Sequence, residues 1–173
     1  MAAALEVCKL FDISTEEFLH AMADYQTPEL RLQTALESPA GVVIRDFAHA
    51  PSKVLASMDA VSARYRHSNL IAVLELHTYS SLNKHFLSQY RHTLRKATHK
   101  LVMVSPKALS NKHLPPITQK ELRAAFDERD LLLVENREQL LGCIRQRLDE
   151  HNNTVLLMSS GSLDGLQPRD IGL

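Results

Sequence analysis

The chain has no excess of charge of either sign. Its 173 residues include 20 Lys and Arg and 20 Asp and Glu, so the formal net charge is +0 with histidine neutral. Binding to nucleic acid or to an anionic membrane surface depends on a strongly positive potential, which this balance does not provide. We therefore expect no nucleic-acid partner and no membrane partner.

Cysteine and long apolar runs are also scarce. Only Cys8 and Cys143 are present, without metal-ligand spacing, so we expect buried thiols in a reducing compartment and no disulfide. The opening Met1-Ala2-Ala3-Ala4-Leu5 run reaches Glu6 and Lys9 too early for a secretory signal, and no segment is long enough to cross a bilayer. These features predict a cytoplasmic location.

Apolar runs that alternate with helical patterns predict an α/β fold. The last four runs are nearly continuous, as in strands covered on both faces. Alternating strands and helices form right-handed βαβ units, so we predict a Rossmann-like, mostly parallel sheet of about six strands with helices on both faces. The six runs are Thr34–Leu36, Val42–Ile44, Leu70–Leu74, Leu101–Val104, Leu131–Val134 and Val155–Met158.

The first of these strands is predicted to be antiparallel. Only Ser38-Pro39-Ala40-Gly41 separates it from the second strand, which is too short for a crossover but suits a hairpin. Helical patterns are predicted after Pro51, over residues 82–94, after the Thr118–Glu121 capping box and over residues 140–148.

A helical hairpin is predicted before the sheet. Residues 2–13 have a helical pattern, and Ser14 with Glu17 forms a capping box that opens a second helix. Tyr25-Gln26-Thr27-Pro28 ends the helical pattern, because the residue before a proline avoids the helical conformation. We therefore expect a boundary near residue 32.

Three polar stretches follow predicted strands. They are Asp46-Phe47-Ala48-His49-Ala50-Pro51, Leu76–Asn83 and Ser159–Gly165. In a parallel sheet they would share the carboxyl edge, where α/β proteins hold ligands. Each also fits a structural role, since Asp46 could cap a turn, Ser81 could cap a helix and Ser159–Gly165 could be a plain turn.

The nine histidines do not form a metal-site pattern. His85, His92 and His99 recur every seven residues without Cys or acidic ligands nearby, which is typical of a solvated face. We therefore expect no metal site made by this chain.

The order of four motifs resembles the carboxyl-terminal domain of the Mur ligase family, and most closely its murein peptide ligase group. The matching segments are Arg31-Leu32-Gln33, Asp46-Phe47-Ala48-His49-Ala50-Pro51, Leu76-His77-Thr78-Tyr79-Ser80-Ser81 and Met158-Ser159-Ser160-Gly161-Ser162-Leu163-Asp164-Gly165. Phe47 replaces the family's usual tyrosine, and Ser160 replaces its asparagine. The match covers nearly the whole chain.

The resemblance implies a role for each motif. Arg31 would reach the γ-phosphate of ATP as a catalytic residue, Asp46 would bind the ribose, and His49 would shape the same turn. The residues implied to line the pocket for the amine-bearing substrate are His77, Thr78, Ser80, Ser81, Ser159, Ser160 and Gly161.

The resemblance also implies a function for the longer polypeptide. Mur ligases use ATP and Mg²⁺ to join an amino acid or peptide to UDP-N-acetylmuramate through an acyl phosphate, in peptidoglycan biosynthesis or recycling. Residues 1–31 would end the central ATPase domain, and residues 32–173 would form the carboxyl-terminal ligand-binding domain.

A phosphate-binding loop, G-x-x-x-x-G-K-[ST], is absent from the sequence. ATP and Mg²⁺ would therefore be bound mainly by the rest of the ligase chain, and we expect this fragment to be inactive alone. Two alternatives stay open: a non-catalytic α/β binding or regulatory module, and a related ligase with another acceptor, such as a folylpolyglutamate synthetase.

Overall fold

A computed structural model describes residues 2–23 and 30–173. The α-helices are α1 (Ala2–Lys9), α2 (Thr15–Ala21), α3 (Pro51–Arg64), α4 (Pro106–Asn111), α5 (Gln119–Phe126) and α6 (Arg137–Arg145). The strands are β1 (Gln33–Ser38), β2 (Gly41–Asp46), β3 (Asn69–Glu75), β4 (His99–Met103), β5 (Leu132–Val134) and β6 (Asn153–Met158). Short 3₁₀ turns cover Leu87–Tyr90, Leu163–Gly165 and Pro168–Asp170.

The six strands form one sheet in the order β1-β2-β6-β3-β4-β5. The β1–β2 pair is antiparallel and every other neighbouring pair is parallel, which confirms the predicted α/β fold. Gly41 closes the β1–β2 hairpin at φ +154°, where a Cβ would lie 2.2 Å from the Asn153 carbonyl oxygen. Only glycine allows β2 and β6 to approach this closely.

Both faces of the sheet are covered. Alternate residues of β3 and β6 point to opposite faces, and every residue of both strands is buried. Helices α3 and α5 pack on one face, whereas α6 and the carboxyl-terminal turns pack on the other. The β5–β6 connection, which contains α6, crosses the sheet in the direction opposite to the other parallel crossovers. Because parallel crossovers are right-handed, this reversal places α6 on the opposite face from α3 and α5.

The amino-terminal helical hairpin has the predicted capping. The Ser14 hydroxyl accepts a hydrogen bond from Glu17 N, and the Glu17 carboxylate accepts one from Ser14 N at 2.9 Å. Leu10 and Phe11 follow α1 and are 81% and 74% exposed. The predicted break at Tyr25–Pro28 lies outside the described residues.

The helix predicted over residues 82–94 is wrong. The segment is a series of turns with hydrogen bonds from N–H to the carbonyl three residues earlier, and His92 has a left-handed backbone at φ 60°. Leu82, Tyr90 and Leu94 nevertheless all enter the core. Successive 3₁₀-like turns bury the same apolar positions as a helix, so the spacing alone did not distinguish them.

The two cysteines are free thiols and are only partly buried, rather than enclosed as expected. Among the described helices, none is both long and apolar enough to span a membrane.

Asn153 joins the hairpin to β6 at the amino edge of the sheet. Its side chain is 1% exposed, and Nδ2 donates to the carbonyls of Ala40 and Asp149, both at 2.9 Å. Oδ1 accepts from Asn69 Nδ2 and from Asp149 N, both also at 2.9 Å. Every hydrogen-bonding position of this buried amide is therefore used.

We expect Asn153→Asp to lower the free energy of unfolding by about 3 kcal/mol or more, because a carboxylate would face two carbonyl oxygens with no proton to donate. Urea unfolding measures the change. Asn136→Asp is the matched control, since Asn136 caps α6 by accepting from Gln139 N and aspartate caps equally well. Equal losses at both positions would contradict the role of the Asn153 network.

Candidate functional site

The carboxyl edge of the sheet brings the three polar stretches together. Asp46 ends β2 and pairs in register with Met158 of β6. Directly after β6, Ser159 N donates to the Asp46 carbonyl at 3.0 Å. Ser159 also donates from Oγ to the carboxylate of Glu75, which ends β3. The loops that follow β2, β3 and β6 therefore form one continuous rim.

A cavity of about 390 Å³ opens beside the end of β2. We call it the Asp46 cavity, and its lining residues are Arg31, Leu32, Asp46, Ala48, Lys53, Ala56 and Ser57. Asp46 is 7% exposed, accepts from Leu32 N at 3.2 Å and accepts from the Ser57 hydroxyl. A carboxylate has about four acceptor positions, so Asp46 keeps capacity for further hydrogen bonds from a ligand.

Arg31 is held at this cavity by its neighbours along the chain. The Leu30 carbonyl accepts from Phe47 N at 2.8 Å, and Leu32 N donates to Asp46. The Arg31 guanidinium lies 5.9 Å from the centroid of the Phe47 ring, within cation–π range. Leu30 and Leu32 have φ values of 58° and 48°, a left-handed backbone that costs bulky residues energy. Paired hydrogen bonds hold this bend and present Arg31 to the cavity.

His49 does not line the Asp46 cavity. Its Nδ1 lies 2.9 Å from the Phe47 carbonyl, and because a carbonyl only accepts, Nδ1 carries the proton in this contact. Its ring meets the Phe47 ring edge-on at 5.3 Å. The Tyr90 hydroxyl donates to the His49 carbonyl, and burial raises the pKa of Tyr90 to about 12. His49 therefore shapes the β2–α3 turn.

Glu75 organises the neighbouring loops and was not among the predicted site residues. Its side chain is buried, and Oε2 accepts from the Ser159 hydroxyl and, at 3.0 Å, from Leu163 N. Oε1 lies 3.9 Å from His77 Nδ1, beyond hydrogen-bond distance. A Cβ at Gly161 would lie 2.8 Å from Glu75 Oε2, so a larger residue there would require the Glu75 carboxylate to move. The signal in the sequence was an acidic residue directly after the continuous apolar run Leu70–Leu74.

A second cavity, of about 190 Å³, lies next to Glu75. We call it the Glu75 cavity, and its lining residues are Glu75, His77, Met103, Ser105, Lys107, Ala108, Asn111, Lys112, Ser162 and Asp164. Of the predicted substrate-binding residues, His77 alone is in this lining. Five of the other six have hydrogen bonds within the loops.

The hydroxyls of the β3 loop bind one another. Thr78 Oγ1 donates to Ser81 Oγ at 2.9 Å, and Ser81 Oγ donates to the Thr78 carbonyl at 3.0 Å. Ser81 is 1% exposed. Ser80 Oγ lies 3.5 Å from Thr78 Oγ1. These three residues therefore set the shape of the loop that carries His77.

The β6 loop has a similar arrangement. Ser159 Oγ accepts from Gly161 N at 2.7 Å while it donates to Glu75. The Ser160 hydroxyl is buried and has no hydrogen-bond partner among the described residues. An unpaired buried hydroxyl is costly, so Ser160 retains the capacity to bind a polar group that enters the rim.

Helix α4 contributes Lys107, Asn111 and the adjoining Lys112 to the Glu75 cavity, and it was not predicted. The signal was Ser105-Pro106 directly after the buried β4 run, because proline favours the first turn of a helix. Within residues 2–23 and 30–173, no group of three or more His, Cys, Asp or Glu side chains is placed to hold a metal ion.

Comparisons with known proteins place this geometry in context. No protein-family profile matches the chain. UDP-N-acetylmuramate–L-alanine ligase from Hydrogenobaculum sp. (strain Y04AAS1) is 20% identical over 162 residues, which are 93% of this chain and 35% of that enzyme. The chain therefore spans about a third of the length of this curated relative.

Two solved structures have the same fold. A murein peptide ligase from Psychrobacter arcticus matches 98% of this chain and 36% of its own, with a TM-score of 0.65 and 14% identity. A domain assigned to a UDP-N-acetylmuramate:L-alanyl-γ-D-glutamyl-meso-diaminopimelate ligase of Haemophilus ducreyi matches 82% of this chain and 97% of its own, with a TM-score of 0.60 and 22% identity. These comparisons confirm the resemblance predicted from the motifs, and the chain is similar to the carboxyl-terminal domain of the Mur ligases.

Proposed function

We propose that this chain is the carboxyl-terminal domain of an ATP-dependent ligase. The complete enzyme would form an amide bond between UDP-N-acetylmuramate and the amine of an amino acid or peptide, in the recycling or biosynthesis of peptidoglycan. The observation that carries the proposal is the convergence of the β2, β3 and β6 loops on one rim, beside two cavities that charged side chains help to line. The similarity to Mur ligases supports the ligase class.

The Asp46 cavity fits a nucleotide. It combines a carboxylate that can accept from ribose hydroxyls with the cations Arg31 and Lys53, which can bind phosphate oxygens. Bound ATP and Mg²⁺ would supply the activated γ-phosphoryl group, held mainly by another domain. Arg31 would stabilise negative charge that develops on the phosphoryl group, because its guanidinium is planar and permanently charged.

The β3 and β6 loops would receive the acceptor amine. His77 lines the Glu75 cavity directly, while Ser159 donates to the Glu75 carboxylate and accepts from Gly161 N. Thr78, Ser80 and Ser81 would act through the shape of the β3 loop. The proposed role of these residues is to orient an amine toward an acyl group that the rest of the enzyme presents.

The amino-terminal hairpin is consistent with a preceding domain in the same polypeptide. Val7, Leu10, Phe11 and Leu19 are between 54% and 81% exposed, an apolar surface that a neighbouring domain would cover. We propose that residues 1–31 end the central ATPase domain and that the boundary follows Arg31. The chain alone would then lack turnover, and the complete enzyme would work in the cytoplasm.

An acceptor screen tests the proposed function. The complete polypeptide of the native reading frame is incubated with ATP, Mg²⁺ and UDP-N-acetylmuramate, and single amino acids or L-alanyl-γ-D-glutamyl-meso-diaminopimelate are added in turn. We expect ADP release that depends on both the nucleotide sugar and one acceptor, together with a product of the summed mass less water. ATP turnover with a folate in place of the nucleotide sugar, and with L-glutamate as the amine, would favour the folylpolyglutamate alternative. No ligation with any pair of substrates would favour a binding module.

Asp46→Asn is expected to raise the apparent KM for ATP about tenfold in the complete enzyme, because one acceptor oxygen and the negative charge are lost. The substituted side chain can still accept from Leu32 N and pair with Ser57, so the fold should persist. Steady-state kinetics at saturating acceptor measure the effect. An unaltered KM for ATP would contradict the ribose contact.

A further inference from the structure

The Glu75 cavity is lined by side chains of both charges. Glu75 and Asp164 are acidic, whereas Lys107 and Lys112 are basic, and all four line a space of about 190 Å³. A cavity with this composition is complementary to a small ligand that carries both an ammonium and a carboxylate group.

Lys107 and Lys112 have no ion pair among the described residues, whereas most other lysines of the chain have one. Lys84, Lys96 and Lys100 each have an ammonium nitrogen within 3.2 Å of a carboxylate oxygen. In the part of the chain that the structure describes, no carboxylate lies within 4.0 Å of the ammonium nitrogen of Lys107 or Lys112. Their charges are therefore free to pair with an anionic group that enters the cavity.

No other cation of the adjacent loops serves the cavity in their place. The β3 loop, Leu76–Asn83, contains neither Lys nor Arg. The β6 loop from Ser159 to Gly165 also contains neither. Among the residues of this lining that the structure describes, permanent positive charge therefore comes only from the α4 segment.

We propose that Lys107 and Lys112 bind the carboxylate of the acceptor and so select acceptors that carry one. The inference rests on the proposed function, and it assigns the specificity for a free carboxylate to the α4 segment. Glu75 Oε1, which has no hydrogen-bond donor among the described residues, faces the acceptor's amine end. The acceptor binds as a zwitterion across the cavity, with its carboxylate toward α4.

The test compares each acceptor with its carboxamide. In the complete enzyme, the apparent KM is measured for L-alanine and for L-alaninamide. It is also measured for L-alanyl-γ-D-glutamyl-meso-diaminopimelate and for the same peptide with all of its carboxylates amidated. We expect Lys107→Met with Lys112→Met to raise KM for the free acids about tenfold or more, since hydrogen bonds to charged groups are lost. KM for the carboxamides should change less than about twofold, because an amide has no charge to pair. Lys120→Met, an exposed lysine of α5 outside the cavity, is the matched control.

A second measurement is independent of turnover. Reductive methylation of the unsubstituted enzyme, read by mass spectrometry, should be slowed at Lys107 and Lys112 by the free acid but not by its carboxamide, with Lys120 unaffected by either. Equal changes in KM for acid and amide, or methylation of both lysines unaffected by the acids, would overturn the inference. If the unsubstituted enzyme ligates none of the acceptors in the screen, the proposed function fails, and the methylation result alone decides whether the lysines bind carboxylates.

Discussion

Replacing Arg31 with alanine is expected to lower the turnover number of the complete ligase about a hundredfold or more, with little change in the stability of this domain. Removing a single donor to a developing oxyanion typically has an effect of this size. The Arg31 side chain is exposed and contacts the Phe47 ring, so its loss removes little packing. The segment itself is held by backbone groups of Leu30 and Leu32, which alanine leaves in place.

Arg64 provides a matched control for this substitution. Its guanidinium lies 5.3 Å from the centroid of the Tyr65 ring, which is a contact of the same kind. Arg64 is the last residue of α3 and does not line the Asp46 cavity. Arg64→Ala should therefore leave turnover unchanged, and Arg31→Lys should recover part of it, because lysine keeps the charge without the planar fork. Unchanged turnover in Arg31→Ala, or an equal decrease in Arg64→Ala, would refute the phosphate role.

Glu75→Ala is expected to disorganise the rim and to lower the free energy of unfolding by about 2 to 4 kcal/mol. The Ser159 hydroxyl and Leu163 N would lose their acceptor, and the space left behind would loosen the loop around Gly161. Because the β6 loop would no longer be fixed against β3, we also expect the KM for the acceptor to rise about a hundredfold. Thermal unfolding and steady-state kinetics measure the two effects.

Glu75→Gln separates the structural role from the charge. A glutamine oxygen can accept from both Ser159 and Leu163, so stability should change by less than about 1 kcal/mol. The acceptor KM should still rise about tenfold, because the negative charge toward the amine is lost. Wild-type kinetics in Glu75→Gln would mean that Glu75 supports the loops without facing the substrate. Wild-type stability in Glu75→Ala would contradict its structural role.

The strands were predictable because a strand that is buried on both faces consists almost entirely of apolar residues. The buried β3 and β6 read as continuous apolar runs, and the short Ser38–Gly41 connection required a hairpin. The turns over residues 82–94 were not predictable from spacing, since Leu82, Tyr90 and Leu94 are buried in either conformation. Tertiary contacts decided between them, including the bond from His92 N to the Phe126 carbonyl.

The candidate site was predictable in position but not in its detailed composition. The predicted parallel strands placed Asp46, His77 and Ser159 on one rim, because each residue follows or ends a strand, and the structure shows this rim. It did not indicate that Ser81 is enclosed by its own loop, because a hydroxyl that binds a ligand and one that closes a turn look alike in sequence. Nor did it indicate the α4 lysines, which join the cavity only through the packing of the β4–α4 connection.

The central claim is that this domain completes an enzyme that activates a carboxylate as an acyl phosphate. The most direct test uses UDP-N-acetylmuramate labelled with ¹⁸O in its carboxylate, together with ATP, Mg²⁺ and the acceptor identified by the screen. If the carboxylate oxygen attacks the γ-phosphorus and the amine then displaces phosphate, one ¹⁸O atom per turnover appears in inorganic phosphate. Product that forms while the released phosphate stays unlabelled would contradict the account.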